Sequence, residues 1–552
     1  MNPSAAALYA ERILAQIPRV LGQIDREPLS PTAGCADRTY WAWKFVDFPA
    51  PRFQEAVCAL AYAWATPLPG SPYHRDANLL EWIERALTWW SSRQHSDGSF
   101  DEAYPFERSL AATSFTTFYV SEALLLLGDA LSPATRARAE HSIAAGGRWL
   151  ARNDETHGFL SNHLAAALAA CWHAHRLTGE RALEQRAHHF RDKILREQSR
   201  EGWYREYEGA DPGYQTHGSF YLARYAELSQ DGALADSLER SFVFLAHFVH
   251  PDGSLGGEYA SRNTQTYYPA AFEMWAHCSH TAAWIAETMR ASVLDGSAAG
   301  VSAVDAWNQY PLLNNLVFAH RAVSDPARLE LIAREPDPER SFTHFSEAGL
   351  ACVRQRRYEA VVATKKGGVI KVWNRETRLL AYSDSGWVGR SAGGSLVATQ
   401  SFDPSRKIRV EPSAIELEGD AVRVSRPTFT PLTFLGFRSF SLTIGRFPSA
   451  ARWIKALLVH LLVYRKRSGG FSLARRIEFE ENAVRVVDRL RGEARLAELL
   501  RAARFATIHM GSSRYFVPNE LRGGRIEAAA ADRADPGELA TGVLRERSIR
   551  FE

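Results

Sequence analysis

The chain has 552 residues, 46% of them hydrophobic and 23% charged, with a formal net charge of +3. That balance excludes disordered, collagen-like and low-complexity chains. The longest unbroken apolar candidate, Ala456–Tyr464, is too short to cross a membrane as a helix. Five scattered cysteines without a C-x-x-C pair read as reduced thiols, and exclude a disulfide scaffold and a cysteine zinc site.

The N-terminal stretch MNPSAAALYAERILAQIPRVL has no basic region before an apolar run, and Glu11 and Arg12 interrupt it. It reads as an amphipathic helix and not as a signal peptide, so a cytoplasmic location is expected. Helical periodicity continues through 77–94, 113–131 and 161–179, where apolar residues recur at i, i+3, i+4 and i+7. Between these segments a turn repeats. Gln94-His-Ser-Asp-Gly-Ser-Phe100 and Gln198-Ser-Arg-Glu-Gly-Trp-Tyr204 share the order Q-x-x-acid-G-x-aromatic, and Thr156-His-Gly-Phe159 and Pro251-Asp-Gly-Ser-Leu255 are looser copies. Glycine supplies a left-handed turn, the acid caps it, and the aromatic packs back between helices. Glycines at 98, 158, 202 and 253 mark a period that suits one helical hairpin per repeat, and the turns look like those of (α/α) toroids.

The pattern changes near Ser341. Segments 358–386, 421–445 and 474–492 alternate and are rich in Val, Ile and aromatics, which predicts an antiparallel β-sandwich. The expected organisation is an incomplete barrel of helical hairpins over 1–325, a linker over 326–340 marked by Asp325-Pro and Glu335-Pro-Asp-Pro, and a sandwich over 341–552. Charge divides at the same place. From Ser341 onward there are 36 Lys and Arg against 22 Asp and Glu, a net +14, which leaves −11 for the rest. A basic second part points to an anionic polymer or anionic lipid, and no nucleic-acid motif accompanies the charge. Residues 451–467 break the alternation and end in Arg465-Lys466-Arg467. A buried helix on the sandwich and a peripheral membrane contact are the two readings of that segment.

Three constellations can carry chemistry. Asn162-His163 stands at the start of an apolar helix, where Ser161 or Asn162 also reads as a plain N-cap. Asp211-Pro-Gly-Tyr214-Gln-Thr-His217-Gly-Ser-Phe-Tyr221 crowds Tyr214, His217 and Tyr221 into one loop and the helix that it opens. Gly256 to Pro269 holds Arg262 and Asn263, which suit a carboxylate, and Tyr267, which suits a sugar face, before Phe272-Glu273. Arg205 is a second cation near the same loop.

Taken together these stretches resemble the heparinase II/III-like polysaccharide lyases. Their motifs include an Asn or Asn-His at the start of an inner helix and, some 50–60 residues on, a D-G-x-x-x-E-G-S-x-x-Y-type stretch with the catalytic tyrosine. Here His163 and Tyr221 are 58 residues apart, and His217 stands where the family often has an acid. The later histidine and zinc-ligand set of some members has no clear counterpart, since only His344, His460 and His509 lie in the second part. The resemblance implies an (α/α) toroid, a C-terminal sandwich and β-elimination on an anionic, uronate-containing polysaccharide or oligosaccharide. Asn162, helped by Arg262 or Arg205, would neutralise the uronate carboxylate as charge builds on it. His163 and Tyr221 would be base and acid, with Tyr214 in reserve. No cofactor is expected, although a structural divalent metal stays open. Three alternatives also stay open: a uronyl C5-epimerase, a glycoside hydrolase drawing on Asp97, Asp101, Glu102, Glu107, Glu258 or Glu273, and a non-catalytic glycan-binding protein of an exopolysaccharide system.

Overall fold

A computed structural model describes residues 4–155, 158–207, 209–335, 341–426, 428–447, 449–450, 453, 467–507, 511–513, 515–522 and 533–551. Helices α1 (Ala5–Gln23), α2 (Ala56–Ala65), α3 (Ala77–Arg93), α4 (Leu110–Leu127), α5 (Pro133–Arg152) and α6 (Ser161–Thr178) open the chain. Then follow α7 (Arg181–Glu197), α8 (Pro212–Ser229), α9 (Ala235–Ala246), α10 (Ala270–Trp275), α11 (His280–Asp295) and α12 (Ala306–Val323). The even-numbered helices form an inner ring in which each touches the next and α12 returns to α2. The odd-numbered helices lie outside. Burial follows: α4 is buried on nearly every face, whereas α7 buries only Leu183, Ala187, Phe190 and Ile194. By length and composition α4 could cross a membrane, yet 83% of its apolar window is buried inside the protein, as expected of a core helix.

The repeated turn has a specific job. Gln94 donates from Nε2 to the carbonyls of Gly98 (2.9 Å) and Ser142 (2.8 Å), tying the end of α3 to α5. Gln198 does the same at Gly202 (3.0 Å) and Ser237 (2.9 Å), tying α7 to α9. Gly98 and Gly202 sit at φ +96° and +98°, and a Cβ on either would lie 2.2 Å from a carbonyl oxygen of the neighbouring outer helix. Phe100 then stacks on Trp90 with centroids 5.0 Å apart.

After α12 the chain enters the sandwich. Strands β3 (Ser341–Phe345), β4 (Leu350–Arg354), β5 (Tyr358–Ala363), β6 (Val369–Asn374) and β7 (Leu379–Asp384) form one antiparallel meander. The second sheet holds β8 (Trp387–Arg390), β9 (Leu396–Ala398), β10 (Lys407–Glu411), β11 (Ala414–Val424), β12 (Ser468–Glu480), β13 (Ala483–Gly492), β14 (Glu498–Arg501) and β15 (Val543–Arg550). Period two divides the meander cleanly. Ala351, Val353, Ala360, Val362, Ile370 and Val372 face Ile415, Leu417, Ile477 and Val484 of the second sheet, whereas Leu350, Cys352, Val361, Ala363, Val369 and Trp373 join the toroid core. The sandwich is thus seated on the toroid through one face of this sheet.

Sequence 421–445, read as strand, divides in the structure: β11 ends at Val424, and Pro431–Leu442 is helix α13. Thr430 caps it, its side chain accepting from Thr433, and Pro431 supplies the fixed φ of a first helical turn. Both local signals override the alternation. The 451–467 segment lies outside the described residues except for Trp453 and Arg467.

Candidate active site

Inner helices of a toroid run the same way, so their N-termini converge at one end of the ring. At that end Phe115 of α4 is the hub. Its ring lies 5.6 Å from His163, 5.7 Å from His217 and 5.6 Å from Tyr221, and the Arg52 guanidinium stands 4.8 Å above it. Converging helix N-termini favour an anion there. The opposite end is closed by Glu122, which binds Arg224 in a bidentate pair (2.7 and 3.0 Å), Arg321 (3.3 Å) and His173 (3.1 Å).

Asn162 is buried in the first turn of α6, against α8 at Gly218. It does not cap its helix. Glu206, on the short strand β1 (Arg205–Glu206) paired with β2 (Gly209–Ala210), takes that role by accepting from Ser161 Oγ (2.7 Å) and the Asn162 N–H (3.1 Å). The Asn162 Oδ1 atom is left buried with no hydrogen-bond partner among the described residues. The Asn162 side chain makes no hydrogen bond among the described residues, so its Nδ2 donor, the end that can meet a carboxylate, is available to a ligand.

His163 follows at the rim. Its Nδ1 lies 2.8 Å from a Glu155 carboxylate oxygen. An ionised carboxylate can only accept, which places the proton on Nδ1 and leaves Nε2 as a base. His217 sits deeper, stacked on Tyr268 with centroids 4.3 Å apart. Its Nε2 is 3.0 Å from the Tyr221 hydroxyl, which is 2.9 Å from the Tyr119 hydroxyl, while its Nδ1 has no hydrogen-bond partner among the described residues. Burial pushes the His217 imidazole well below its usual range, and the charges of Arg52, His163 and Arg262 push it the same way. Burial pushes the Tyr221 phenol well above its usual range. A neutral histidine is thus paired with a protonated tyrosine at neutral pH.

Tyr214 lies under the Arg262 guanidinium, 3.5 Å from its centroid, and its hydroxyl bonds Ser512 on a loop of the sandwich. Tyr515 of the same loop accepts from Asn308 of α12 (2.7 Å), so the sandwich overhangs the mouth of the ring. Arg262 pairs with Glu206 (3.1 Å) and is buried among Tyr207 and Tyr214, engaged in building the loop. Asn263 accepts from Lys366 Nζ (2.7 Å) at the domain junction. Arg205 points outward, half exposed, with its Nε on the Tyr207 carbonyl. Tyr267 and Glu273 belong to another cluster, where Glu273 binds Tyr9 (2.6 Å) and Arg290 (2.5 and 2.9 Å). The structure therefore gathers Asn162, His163, His217 and Tyr221, sets Tyr214 beside them, and leaves Arg205, Asn263, Tyr267 and Glu273 apart.

The sequence reading passed over Arg52, Glu55, Phe115, Tyr119 and Glu155. Arg52 pairs with Glu55 (2.8 Å) and Glu102 (3.0 Å) and is the cation nearest the hub. The R-x-x-E spacing of Arg52 and Glu55 was its visible trace. Phe115 and Tyr119 are indistinguishable by pattern from ordinary core residues of α4. Among the described residues no three of His, Cys, Asp or Glu converge as a metal-ligand set.

Residues 52–271 match the family model of the ulvan lyase N-terminal domain. In fold the chain is similar to a chondroitin AC lyase from Streptomyces coelicolor A3, solved in complex with chondroitin sulphate. That match has 12% identity and a TM-score of 0.55, and covers 91% of this chain and 68% of the other. It is also similar to a xanthan lyase from Paenibacillus, with 9% identity and a TM-score of 0.50, covering 90% of this chain and 46% of the other. The chain thus spans under half the length of that xanthan lyase. A comparison with the curated proteins returns no match.

Proposed function

We propose that this chain, with an ulvan lyase N-terminal domain on the toroid-and-sandwich fold of polysaccharide lyases, cleaves an anionic, uronate-containing glycan by β-elimination. The observation that carries the reading is the unpartnered Asn162 amide, set between the His163–Glu155 pair and the His217–Tyr221 pair. Elimination begins with loss of the proton at C5 of a uronate, which is weakly acidic until charge on the carboxylate is stabilised. Asn162 and Arg52 suit that task, since a buried donor and a nearby cation stabilise charge more strongly than water would. His163 Nε2 takes the C5 proton, with Glu155 stabilising the imidazolium that results. The leaving O4 needs a proton in return. His217 donates it from Nδ1 and is reprotonated through Nε2 by Tyr221, with Tyr119 bonded to the resulting phenolate.

The carboxylates considered for hydrolysis do not form a free pair. Asp101 accepts from Phe106 N–H (2.8 Å) and Arg108 N–H (2.9 Å), Glu102 binds Arg52, Glu258 binds Lys371 (2.6 Å), and Glu273 binds Arg290. Asp97 and Glu107 likewise hold the 97–108 loop. The converging helix N-termini and Arg52 support an anionic substrate, in agreement with the chondroitin sulphate bound to the Streptomyces enzyme. Incubation with a panel of uronate polymers tests the reading. Lyase action gives the ultraviolet absorbance of an unsaturated uronate, whereas an epimerase changes C5 configuration without chain cleavage. A hydrolase yields saturated reducing ends.

A further inference from the structure

Helix α13 and its flanks form an apolar surface that the described residues leave largely exposed. Leu432, Leu435, Phe429 and Phe447 are 81%, 63%, 64% and 67% exposed, and Phe434, Leu442 and Ile444 are also exposed. A short helix that is apolar on nearly every side belongs inside a core or at a non-aqueous boundary. This one is held at the surface. Arg438 pairs with Asp47 (2.9 Å), Phe437 packs on Tyr104 (5.0 Å), and Arg446 lies over Phe106 (5.1 Å). These contacts set α13 beside a toroid loop that itself exposes Trp43, Phe45 (93%) and Val46. Two elements remote in sequence thus present one apolar patch.

The segment that carries α13 is one-sided in charge. From Ala421 to Ile477 the sequence has no Asp or Glu and 11 Lys and Arg. Exposed aliphatic and aromatic side chains with Lys44 and Arg446 exposed among them match an anionic lipid surface, where the rings enter the headgroup boundary and the cations meet lipid phosphates. Leu432, Leu435, Leu442 and Ile444 offer no stacking face to a sugar. A second copy of the same basic surface would be repelled. We propose that the patch formed by Phe429–Phe447 and Trp43–Val46 seats the protein on an anionic membrane surface. The proposal is independent of the lyase reading.

The full chain is mixed with vesicles of phosphatidylcholine alone, or with about one third phosphatidylglycerol, and cosedimentation is measured. The expected result is binding to the anionic vesicles that weakens with salt, and that falls roughly tenfold or more in Leu432→Glu/Leu435→Glu. Both leucines are exposed, so circular dichroism and melting should match the parent. Absence of binding to the anionic vesicles, or equal binding by parent and variant, overturns the proposal. So does a concentration-dependent dimer that the variant abolishes, which would make the patch a copy-to-copy interface.

Discussion

At the residue scale, Asn162 separates catalysis from capping. Because Glu206 satisfies the start of α6, Asn162→Ala should lower turnover by about 10²–10³-fold while leaving the melting temperature nearly unchanged. A helix that melted early would mean that the side chain is structural. Tyr221→Phe keeps the ring that packs on Phe118 (5.1 Å) and removes the proton, so about 10²–10⁴-fold should be lost. Tyr119→Phe should cost less, because it removes only a hydrogen bond to Tyr221. The His217 imidazole gives a reading free of turnover. Burial, with Arg52 next, holds it below the usual range, so it stays neutral until well into acid. Arg52→Met removes one depressing charge, and the imidazole titration followed by NMR should move upward. An unchanged or lower midpoint would show that Arg52 does not act on this ring.

At the element scale, what the sequence showed depended on periodicity. Helical hairpins and the strands after Ser341 repeat often enough to be read, and the Q-x-x-acid-G turn repeats because each copy performs the same tie between outer helices. Asn162, His163, His217 and Tyr221 were legible through the resemblance to the lyase motifs, because a polar helix start alone also reads as a cap and a crowded Tyr/His stretch alone as packing. Arg52 and Glu155 were not, although Glu55 and His163 lie only three and eight residues on, because a lone Arg or Glu in a turn reads as surface. Helix α13 was missed since Phe429, Leu432 and Phe434 satisfy a strand pattern as well as a helical one. Glycine gives the sharpest test of the turn. Gly202→Ala places a Cβ 2.2 Å from the Arg240 carbonyl at φ +98°, whereas Gly179→Ala, at φ +72°, meets nothing within 4 Å. The first should destabilise by several kcal/mol through backbone displacement, and the second by about 1 kcal/mol from φ alone. Thermal melts of the two decide whether contact or conformation dominates.

At the scale of the whole molecule, the two domains are joined by apolar packing and by buried charge. Lys366 Nζ donates to the carbonyls of Glu258 (2.9 Å) and Ala260 (2.5 Å), and Lys371 pairs with Glu258 (2.6 Å) where both side chains are 5% exposed. His250 stacks on Trp373 alongside, centroids 3.9 Å apart. Burial alone would raise the Glu258 carboxyl, but the Lys371 charge and hydrogen bond outweigh it, and the net shift is downward. A depressed carboxylate contributes stability that is present above its unfolded value, about 4.3, and is lost as pH falls through the folded one. Glu258→Gln should therefore destabilise most at neutral pH, by about 3–5 kcal/mol, because it strands a buried ammonium. The penalty should shrink in acid, where the parent loses the same charge. Glu258→Gln/Lys371→Met removes both charges and should recover most of the loss, since desolvation is no longer opposed by an unpaired ion. Calorimetry across pH checks the cycle. If the double variant recovers, the pair adds little net stability and the apolar face of Leu350, Val361 and Trp373 carries the junction; if it stays as unstable as the single one, the loss does not come from a stranded ammonium and the pair itself holds the domains together.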